Sequence, residues 1–345
     1  MSTHQGTAIV TGASSGIGAV YADRLAARGH SLILVARRED RLQALAQRLR
    51  SAHGREVEVV AADLADAAGL QRVAALLSGE RDIRMLVNCA GLGALGPAAQ
   101  VDAGEVDRMV MVNIHALTRL SLAAGRLFAT RGRGTLINIG SILALMPLPG
   151  ASSYSASKAY VLNFTRSLQA ELASSGVMVQ AVMPSLVHSE FFGGKPAPFP
   201  EHLFMSPEAL VDTALVALDQ GEAICFPTLG STTAWLDFDQ SRANLVKALT
   251  LSGVLSGGVY GLRKTGAGTL VLSNTGNEAA RSGYTTVLEG TLQISDDDQL
   301  SSGTLTLGGG RLAITGATTI DNAVALASGS TISTTANAAL SGALS

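Results

Sequence analysis

Short apolar runs alternate with longer segments of helical period through the first 250 residues of the chain. Such runs are typical of strands that are buried on both faces of a parallel sheet, and the segments between them are typical of the helices that cover it. The pattern therefore predicts an α/β fold with a doubly wound parallel sheet of the Rossmann type. The predicted strands are 7–10, 31–36, 57–62, 85–90, 135–140, 177–183 and 222–226.

Residue types that begin or end helices lie at the bounds of three of the predicted helices. Glycine after a helix adopts the left-handed conformation that ends it, and serine followed by proline is typical of a helix start. The helices and their end signals are 17–28 with Gly29, 39–52 with Gly54, and 207–219 with Ser206 and Pro207.

The pattern changes near residue 251, beyond which there is no proline, cysteine, histidine or tryptophan. The remaining chain is dominated by Gly, Ser, Thr, Ala and Leu, and Gly-Thr-Leu recurs at Gly268, Gly290 and Gly303, at spacings of 22 and 13. Glycine at corners and threonine alternating with leucine or isoleucine predict an all-β, solenoid-like repeat. A flexible low-complexity tail is the alternative.

These changes predict how the chain is divided. The predicted parts are a nucleotide-binding domain over 1–250, a linker over 251–258 and a β-strand repeat segment over 259–345.

Composition narrows the classes of function. The 25 basic and 27 acidic residues give a net charge of −2, which leaves no positive excess for nucleic acid or an anionic membrane. Cys89 and Cys225 lie far apart without a Cys or His at ligand spacing, so neither a disulfide nor a metal site is expected. The amino terminus shows no signal pattern and no run of about 18 apolar residues occurs, so we expect a cytoplasmic protein without a membrane partner.

A glycine-rich segment, TGASSGIG, follows the first predicted strand and enters a helix. Glycines leave room for backbone amides to approach a pyrophosphate at the positive end of a helix. A flexible turn is the alternative, but the position between strand and helix favours a nucleotide site. The residues of this predicted site are Gly12, Ser14, Ser15, Gly16, Ile17 and Gly18.

Two arginines, Arg37 and Arg38, follow the second predicted strand, where an NAD site usually carries a carboxylate for the ribose 2′-hydroxyl. Cations at the start of a helix oppose its dipole, so a solvated basic pair is a poor explanation. We interpret them as ligands of a 2′-phosphate, which favours NADP over NAD.

Tyr154 and Lys158 lie four residues apart, which places them on one face of a predicted helix. A charge about 4 Å away at an effective dielectric near 20 is worth roughly 4 kcal/mol, enough to lower a phenol pKa well below its usual value before desolvation opposes it. We therefore predict that Tyr154 exchanges protons near neutrality. The pair is weak evidence alone, because chance produces it in roughly 6% of such sequences.

Two polar residues add to this chemistry. Ser141 ends the fifth predicted strand at the edge where open parallel sheets bind ligands, so its hydroxyl either holds a substrate oxygen or caps a loop. Asn113 lies inside a predicted helix, where asparagine is a poor helix former, so it either stabilises a bend or positions a water.

In order and spacing, TGASSGIG, the NCAG turn at 88–91, Asn113, Ser141, Tyr154 and Lys158 resemble the short-chain dehydrogenase/reductase family over about residues 5–250. The resemblance implies hydride transfer between NADP(H) and a small-molecule carbonyl or alcohol, with Tyr154 as general acid/base and Ser141 orienting the reacting oxygen. Lys158 would lower the phenol pKa and bind the nicotinamide ribose, and Asn113 would hold a water for proton relay.

The resemblance also implies homodimers or tetramers through helices near 105–128 and 152–173. The segment 191–205 combines aromatic and aliphatic residues with glycine and proline, which indicates either a mobile lid over the site or a surface loop with buried anchors. The sequence departs from the family at Cys89, which we interpret as a small buried residue, and at two positions after the sixth strand. There Pro184 is followed by Ser185 instead of glycine, and Ser189 replaces a threonine that contacts the nicotinamide amide. Further cofactor contacts implied by the resemblance are Asp63, Asn88, Ala90, Gly91, Pro184 and Ser189. Asp63 and the NCAG turn fall where the family contacts adenine and supports the central sheet.

The segments LRKTGAGTLVLSNTG and YTTVLEGTLQIS resemble the repeats of bacterial autotransporter passenger regions. Passenger repeats belong outside the cell, which conflicts with a cytoplasmic enzyme; a gene fusion or read-through that attached a dispensable tail is one explanation. Two other hypotheses stay open: a surface or adhesion protein with a vestigial reductase domain, and a cofactor-binding scaffold without turnover.

Overall fold

The computed structural model describes residues 5–192, 199–251, 261–275 and 282–345. Its internal contacts divide the chain into two compact units, Met1–Gly230 and Ser231–Ser345. The linker and the boundary near residue 250 that composition suggests stay a prediction.

A seven-stranded parallel sheet forms the centre of the first unit. Its strands are β1 (Thr7–Thr11), β2 (Ser31–Ala36), β3 (Val57–Ala61), β4 (Ile83–Asn88), β5 (Gly134–Ile139), β6 (Val177–Val182) and β7 (Ile224–Cys225). They lie in the order β3-β2-β1-β4-β5-β6-β7, so the direction of winding reverses between β1 and β4. This arrangement confirms the predicted doubly wound fold, and ligands bind such sheets at the reversal.

Two strands differ from their predicted bounds by more than one residue at an end. β4 begins at Ile83, two residues early, because the charge of Arg84, which pairs with Asp82 at 2.5 Å, interrupts the apolar run in the sequence. β7 is only two residues long because it pairs with β6 at two positions alone.

Helices cover both faces of the sheet. Ile9 and Val10 are fully buried in opposite core clusters, Ile9 with the helices at 67–75, 117–131 and 152–172 and Val10 with those at 16–27, 39–53 and 207–219. The alternation of side chains along a strand explains this separation. The helices are α1 (Gly16–Ala27), α2 (Glu39–His53), α3 (Ala67–Ala75), α4 (Ala103–Val110), α5 (Leu117–Arg131), α6 (Ser152–Leu172) and α7 (Pro207–Asp219).

The predicted helix ends are also present. Gly29 and Gly54 have φ values of 102° and 62°, and the Ser206 hydroxyl accepts a hydrogen bond from the Ala209 amide at 3.1 Å. These residues end α1 and α2 and begin α7.

The second unit contains α8 (Thr233–Leu251) followed by short parallel strands in three sheets. Leucine, isoleucine and valine side chains form its buried core. The stacked strands confirm the predicted β-strand repeat segment. They are β8 (Leu262–Lys264), β9 (Thr269–Val271), β10 (Thr285–Val287), β11 (Thr291–Ile294), β12 (Leu305–Leu307), β13 (Arg311–Ile314), β14 (Thr319–Ile320), β15 (Val324–Leu326), β16 (Thr331–Thr334) and β17 (Ala339–Leu340).

The stacking explains the irregular spacing of Gly-Thr-Leu. Gly268 and Gly290 directly precede β9 and β11, which are neighbours in one sheet, whereas Gly303 lies before β12 in another sheet. The third copy is therefore not equivalent to the first two. Gly290 has a φ of 66°, and a Cβ there would collide with the carbonyl oxygens of Gly266 and Gly268, so the corners stack too closely for a side chain.

No helix among the described residues is long and apolar enough to cross a membrane. Within the same ranges, no group of three or more His, Cys, Asp or Glu side chains is placed to hold a metal ion.

Candidate active site

The loops that follow β1 and β4 meet at the reversal of the sheet. The Thr11 hydroxyl accepts hydrogen bonds from the amides of Cys89 and Ala90 at 3.0 and 3.1 Å. A Cβ on Gly12, whose φ is 69°, would lie 2.8 Å from the Ala90 Cα, so only glycine allows this approach. Sequence reasoning missed Thr11, although its place at the end of a buried strand is a usable signal.

The glycine loop, residues 12–18, leads directly into α1. Ser15 occupies the N-cap position but its side chain makes no capping hydrogen bond, and Gly16 has a φ of 53°. A Cβ on Gly18 would collide with the Gly12 carbonyl, and Ile17 packs against the core beneath. The start of α1 therefore presents amides that its cap residue does not satisfy, as a pyrophosphate site requires.

Arg38 is bound to the glycine loop by its guanidinium group. Its Nη2 donates to the hydroxyls of Ser14 at 3.0 Å and Ser15 at 2.8 Å, while Arg37 is exposed. The two arginines thus differ in position, and Arg38 is the one beside the loop. A guanidinium and two hydroxyls at this point fit a ribose 2′-phosphate.

Tyr154 and Lys158 share one face of α6, as their spacing predicts. Lys158 is buried, its Nζ donates to the Ile139 carbonyl at 2.9 Å, and the same Nζ lies 5.7 Å from the centroid of the Tyr154 ring. Burial lowers the pKa of Lys158 to about 8, since desolvation disfavours the ammonium form.

The predicted lowering of the Tyr154 pKa is wrong for this structure. Burial raises the pKa of Tyr154 to about 12, and a hydrogen bond with Ser141 opposes the rise only in part. The same burial that disfavours the phenolate also disfavours the Lys158 ammonium that was expected to stabilise it. Tyr154 therefore holds its proton at neutral pH.

Ser141 caps a loop, which is one of the two roles that its sequence position leaves open, and its hold on a substrate oxygen stays a prediction. It is buried at the end of β5, and its hydroxyl accepts a hydrogen bond from the Leu143 amide at 3.2 Å at the start of a short 3₁₀ turn. It also hydrogen-bonds Tyr154. The turn thus orients the serine toward the phenol.

Asn113 lies in a π-helical segment, Met111–Ala116, between α4 and α5. Its side chain exchanges two hydrogen bonds of 2.9 Å with the backbone of Leu92 and donates a third to the Ser157 hydroxyl at 3.2 Å. The π-helical segment interrupts the regular helix at Asn113, and π-bulges of this kind are common at functional sites. The water-holding role of Asn113 stays a prediction.

Gly91 lies between Asn113 and Lys158. A Cβ on Gly91 would be 3.6 Å from the Asn113 Oδ1 and 3.8 Å from the Lys158 Nζ. The NCAG turn, the π-helical segment and α6 therefore meet at one point.

The side chain of Asn88 forms hydrogen bonds with other buried side chains of the sheet and helices. Its Nδ2 donates to the Ser121 hydroxyl at 3.0 Å and to the Asn138 Oδ1 at 2.9 Å, and Asn138 donates in turn to Thr165 at 3.0 Å. This buried network joins β4 and β5 to α5 and α6, which fits the sheet-supporting role better than a side-chain contact with a cofactor. Sequence reasoning did not find the partners of Asn88, because they are far apart along the chain.

Asp63 follows β3 and is paired with Arg108, whose Nη2 donates to its carboxylate at 2.6 Å. Its other oxygen accepts a hydrogen bond from the Ala65 amide at 3.0 Å. An adenine contact by Asp63 stays a prediction. Arg108 was not among the predicted site residues.

The segment after β6 crosses the site. The Pro184 carbonyl accepts a hydrogen bond from the Ile142 amide at 2.9 Å, and a Cβ on Gly16 would lie 3.4 Å from the Ser189 Cβ. The Phe191 ring lies 5.2 Å from the Tyr154 ring, between centroids. This part of the predicted lid therefore covers the phenol, whereas residues 193–198 lie outside the described residues.

Cys89 shows no sign of a reactive thiol. Burial raises its pKa to about 12, so the thiolate is not populated near neutrality. This agrees with its interpretation as a small buried residue.

Comparison with known proteins identifies both parts of the chain. A family model described as short chain dehydrogenase matches residues 6–197, and one described as passenger-associated-transport-repeat matches residues 262–294.

Two solved structures resemble the first part. A short-chain dehydrogenase from Sphingobium yanoikuyae in complex with NADPH has 42% sequence identity and a TM-score of 0.68, and the match covers 70% of this chain and 95% of that one. A bulky-bulky ketone specific alcohol dehydrogenase from Comamonas testosteroni has 39% identity and a TM-score of 0.66, with coverage of 71% and 95%.

A curated relative shows a more partial match. The very-long-chain 3-oxoacyl-CoA reductase of Anas platyrhynchos is 35% identical over 185 residues, which are 52% of this chain. The match spans 59% of the length of that reductase.

Proposed function

This chain belongs to the short chain dehydrogenase family, and on that premise we propose that it is an NADP(H)-dependent oxidoreductase acting on a carbonyl compound or the corresponding alcohol. The observation that carries the proposal is the convergence of Tyr154, Ser141 and Lys158, with Lys158 beside Gly91 in the turn that packs against Gly12. A nucleotide-binding protein without chemistry needs no buried phenol hydrogen-bonded to a serine at this place.

The residues present fit a dinucleotide with a 2′-phosphate. The uncapped start of α1 suits the pyrophosphate, and Arg38 with Ser14 and Ser15 suits the 2′-phosphate. When bound, NADP(H) supplies or accepts the hydride at its nicotinamide. Gly91, which has no side chain between Asn113 and Lys158, leaves room beside the ammonium.

Tyr154 supplies the proton that the substrate oxygen receives when a carbonyl is reduced. With its pKa raised to about 12, the Oη is protonated at neutral pH and donates to the substrate oxygen when a carbonyl is reduced. Ser141, which already hydrogen-bonds the phenol, orients that oxygen. Lys158 stabilises negative charge on the phenol oxygen after the proton has left, and its own pKa near 8 lets the charged form be populated at neutral pH.

The substrate that we propose is a carbonyl compound with a large apolar substituent. The Phe191 ring packs against that of Tyr154 at an interplanar angle of 60°, so the wall beside the reacting oxygen is aromatic. The named activities of the two relatives, toward bulky-bulky ketones and very-long-chain 3-oxoacyl-CoA, support this class.

The alternative of a passenger protein with a vestigial reductase domain is not favoured. The repeat match agrees with a passenger-like tail, but the chain keeps the side chains of the candidate site in contact with one another. Homo-oligomers and a cytoplasmic location stay predictions.

A coenzyme and substrate panel tests the proposal. NADPH and NADH oxidation would be followed with bulky ketones, 3-oxoacyl thioesters and small aldehydes. We expect turnover of the bulky ketones or thioesters with NADPH, and a loss of the NADPH preference in Arg38→Gln. Absence of oxidation with every carbonyl and both coenzymes, in protein that binds NADPH, would favour the scaffold hypothesis instead.

A further inference from the structure

The carboxylate of Glu190 bridges two arginines beside the glycine loop. Its Oε2 accepts a hydrogen bond from the Arg38 Nη1 at 2.6 Å, and its Oε1 accepts one from the Arg41 Nη1 at 2.6 Å. These bonds lower the pKa of Glu190, so the carboxylate is charged at neutral pH. A pair of arginines that binds the two oxygens of a carboxylate in this way can bind the oxygens of a phosphate monoester in the same way.

The remaining donors of Arg38 are directed at the glycine loop. Its Nη2 donates to Ser14 and Ser15, which fixes the plane of the guanidinium and leaves Nη1 for Glu190. A 2′-phosphate that bound Arg38 beside these serines would need the Nη1 that Glu190 occupies. The two anions therefore compete for one position.

The competition favours the phosphate. The side chains of Arg38, Arg41 and Glu190 are 39%, 44% and 52% exposed, so their ion pairs are screened by solvent and weak. A phosphate monoester carries a charge of about −1.5 to −2 at neutral pH, compared with −1 for a carboxylate. Glu190 also lines a cleft of about 420 Å³ with Ser15 and Gly16, so there is space beside it for the displaced side chain.

We propose that Glu190 is an internal substitute for the 2′-phosphate: it neutralises Arg38 and Arg41 in the absence of NADP(H) and is displaced when NADP(H) binds. This inference rests on the proposed function. It makes Glu190 a specificity-determining residue, since NADP(H) must break both ion pairs whereas NAD(H) leaves them in place. Glu190 thus reduces the preference for NADP(H) that Arg38 creates.

Displacement of Glu190 also reaches the reacting phenol. Glu190 begins the 3₁₀ turn Glu190–Phe192, and the next residue, Phe191, places its ring 5.2 Å from that of Tyr154. One turn therefore joins the phosphate-binding arginines to the aromatic cover of Tyr154. When Glu190 leaves the two arginines, the turn loses a restraint, and the Phe191 ring is held less firmly over Tyr154.

The test measures the binding of adenosine 2′,5′-bisphosphate and of 5′-AMP to the full chain by calorimetry, because the two ligands differ only in the 2′-phosphate. We expect Glu190→Gln to bind the bisphosphate about three- to tenfold more tightly than the wild type, with 5′-AMP affinity unchanged within about twofold. Glu201→Gln is the matched control: it removes the same charge from the same loop, at a residue that is 87% exposed and lies 3.6 Å from His188. It should leave both affinities unchanged.

Hydrogen exchange supplies the second readout. Amides at 189–192 should exchange faster in the presence of the bisphosphate than in the presence of 5′-AMP, because only the bisphosphate releases Glu190.

The outcomes separate the inference from the function on which it rests. Equal bisphosphate affinity in Glu190→Gln and wild type, or an equal gain in Glu201→Gln, would overturn the role of Glu190 while Arg38→Gln still weakened bisphosphate binding. A wild type that bound the bisphosphate no better than 5′-AMP, with no gain in Glu190→Gln, would overturn both the NADP preference and the inference.

Discussion

Burial acts on Tyr154 and Lys158 of α6 in the same sense, by favouring the neutral form of each. It raises the pKa of Tyr154 to about 12 and lowers that of Lys158 to about 8. The residue spacing in the sequence indicates that the two groups are neighbours, but it does not indicate how dry their surroundings are. For that reason the position of the pair was predictable and the direction of the tyrosine shift was not.

The lysine shift predicts a pH dependence of stability. The pKa of Lys158 is about 8 in the folded chain and 10.5 for an ordinary lysine, so between these values the unfolded state binds more protons and the free energy of unfolding rises with pH. Lys158→Met lacks this dependence. From pH 7 to pH 9.5, the stability of the wild type should therefore increase relative to Lys158→Met by about 2 kcal/mol.

Denaturant unfolding of both proteins at the two pH values measures this change. The window lies below the range in which Tyr154 titrates in the folded state, and any ordinary tyrosines and cysteines contribute equally to both proteins. A difference between wild type and Lys158→Met that stays constant from pH 7 to 9.5 would show that the Lys158 pKa is not lowered.

At the same scale, residues with a recognisable type and spacing were found in the sequence, and residues defined by a distant partner were not. Gly12, Ser141 and Lys158 belong to the first class. Arg108 and Glu190 belong to the second, because nothing in a surface arginine or glutamate indicates that Asp63 or Arg38 will face it after folding.

At the scale of elements, the position of the site depends on how three segments approach one another. The turn after β4, the 3₁₀ turn Glu190–Phe192 and α6 meet where Phe191 packs between Gly93 and Tyr154. Gly93 leaves the space that the ring fills. The apolar cover of the phenol is therefore set by a glycine on a neighbouring loop.

Gly93→Ala tests this packing. Its Cβ would lie 2.5 Å from the Phe191 Cζ, so the ring must leave its present position against Tyr154. Loss of one aromatic contact is worth about 0.5–1.5 kcal/mol, so the KM for a bulky ketone should rise about two- to tenfold. Steady-state kinetics at saturating NADPH provide the measurement.

Gly79→Ala is the matched control, since a Cβ there meets nothing within 4 Å. It should leave the KM unchanged. An unchanged KM in Gly93→Ala as well would mean that Phe191 does not form the substrate wall.

Element types and order were predictable because apolar periodicity carries them, as the seven strands of the sheet show. The bounds of the strands were less predictable where a charged residue such as Arg84 lies inside a strand, or where an edge strand such as β7 has only one partner. In the repeat segment, the glycines were recognised, but the sheet to which each strand belongs depends on stacking between rungs.

At the scale of the whole molecule, two compact units of different character share one chain. The residues of the candidate site all lie in the first unit, and the passenger-associated repeat lies in the second. Exposed apolar side chains on α5 and α6, such as Leu122 and Tyr160, agree with the predicted oligomer interfaces without testing them.

Removal of the tail tests whether the repeat segment is dispensable. A chain that ends at residue 255 keeps every residue of the candidate site, so its rate of NADPH oxidation should stay within about twofold of the full chain. Circular dichroism would establish that the shortened protein is folded. Complete loss of turnover in a folded truncation would contradict dispensability and the simple fusion hypothesis.

The proposal that Tyr154 is the proton donor is tested most directly by Tyr154→Phe in single-turnover NADPH oxidation, with NADPH affinity measured on the same protein. The substitution removes one hydroxyl and keeps the ring against Phe191. We predict that the rate falls about 10²- to 10⁴-fold while the Kd for NADPH changes by less than about twofold. A rate close to that of the wild type, at unchanged NADPH affinity, would contradict the assignment of Tyr154 as the general acid.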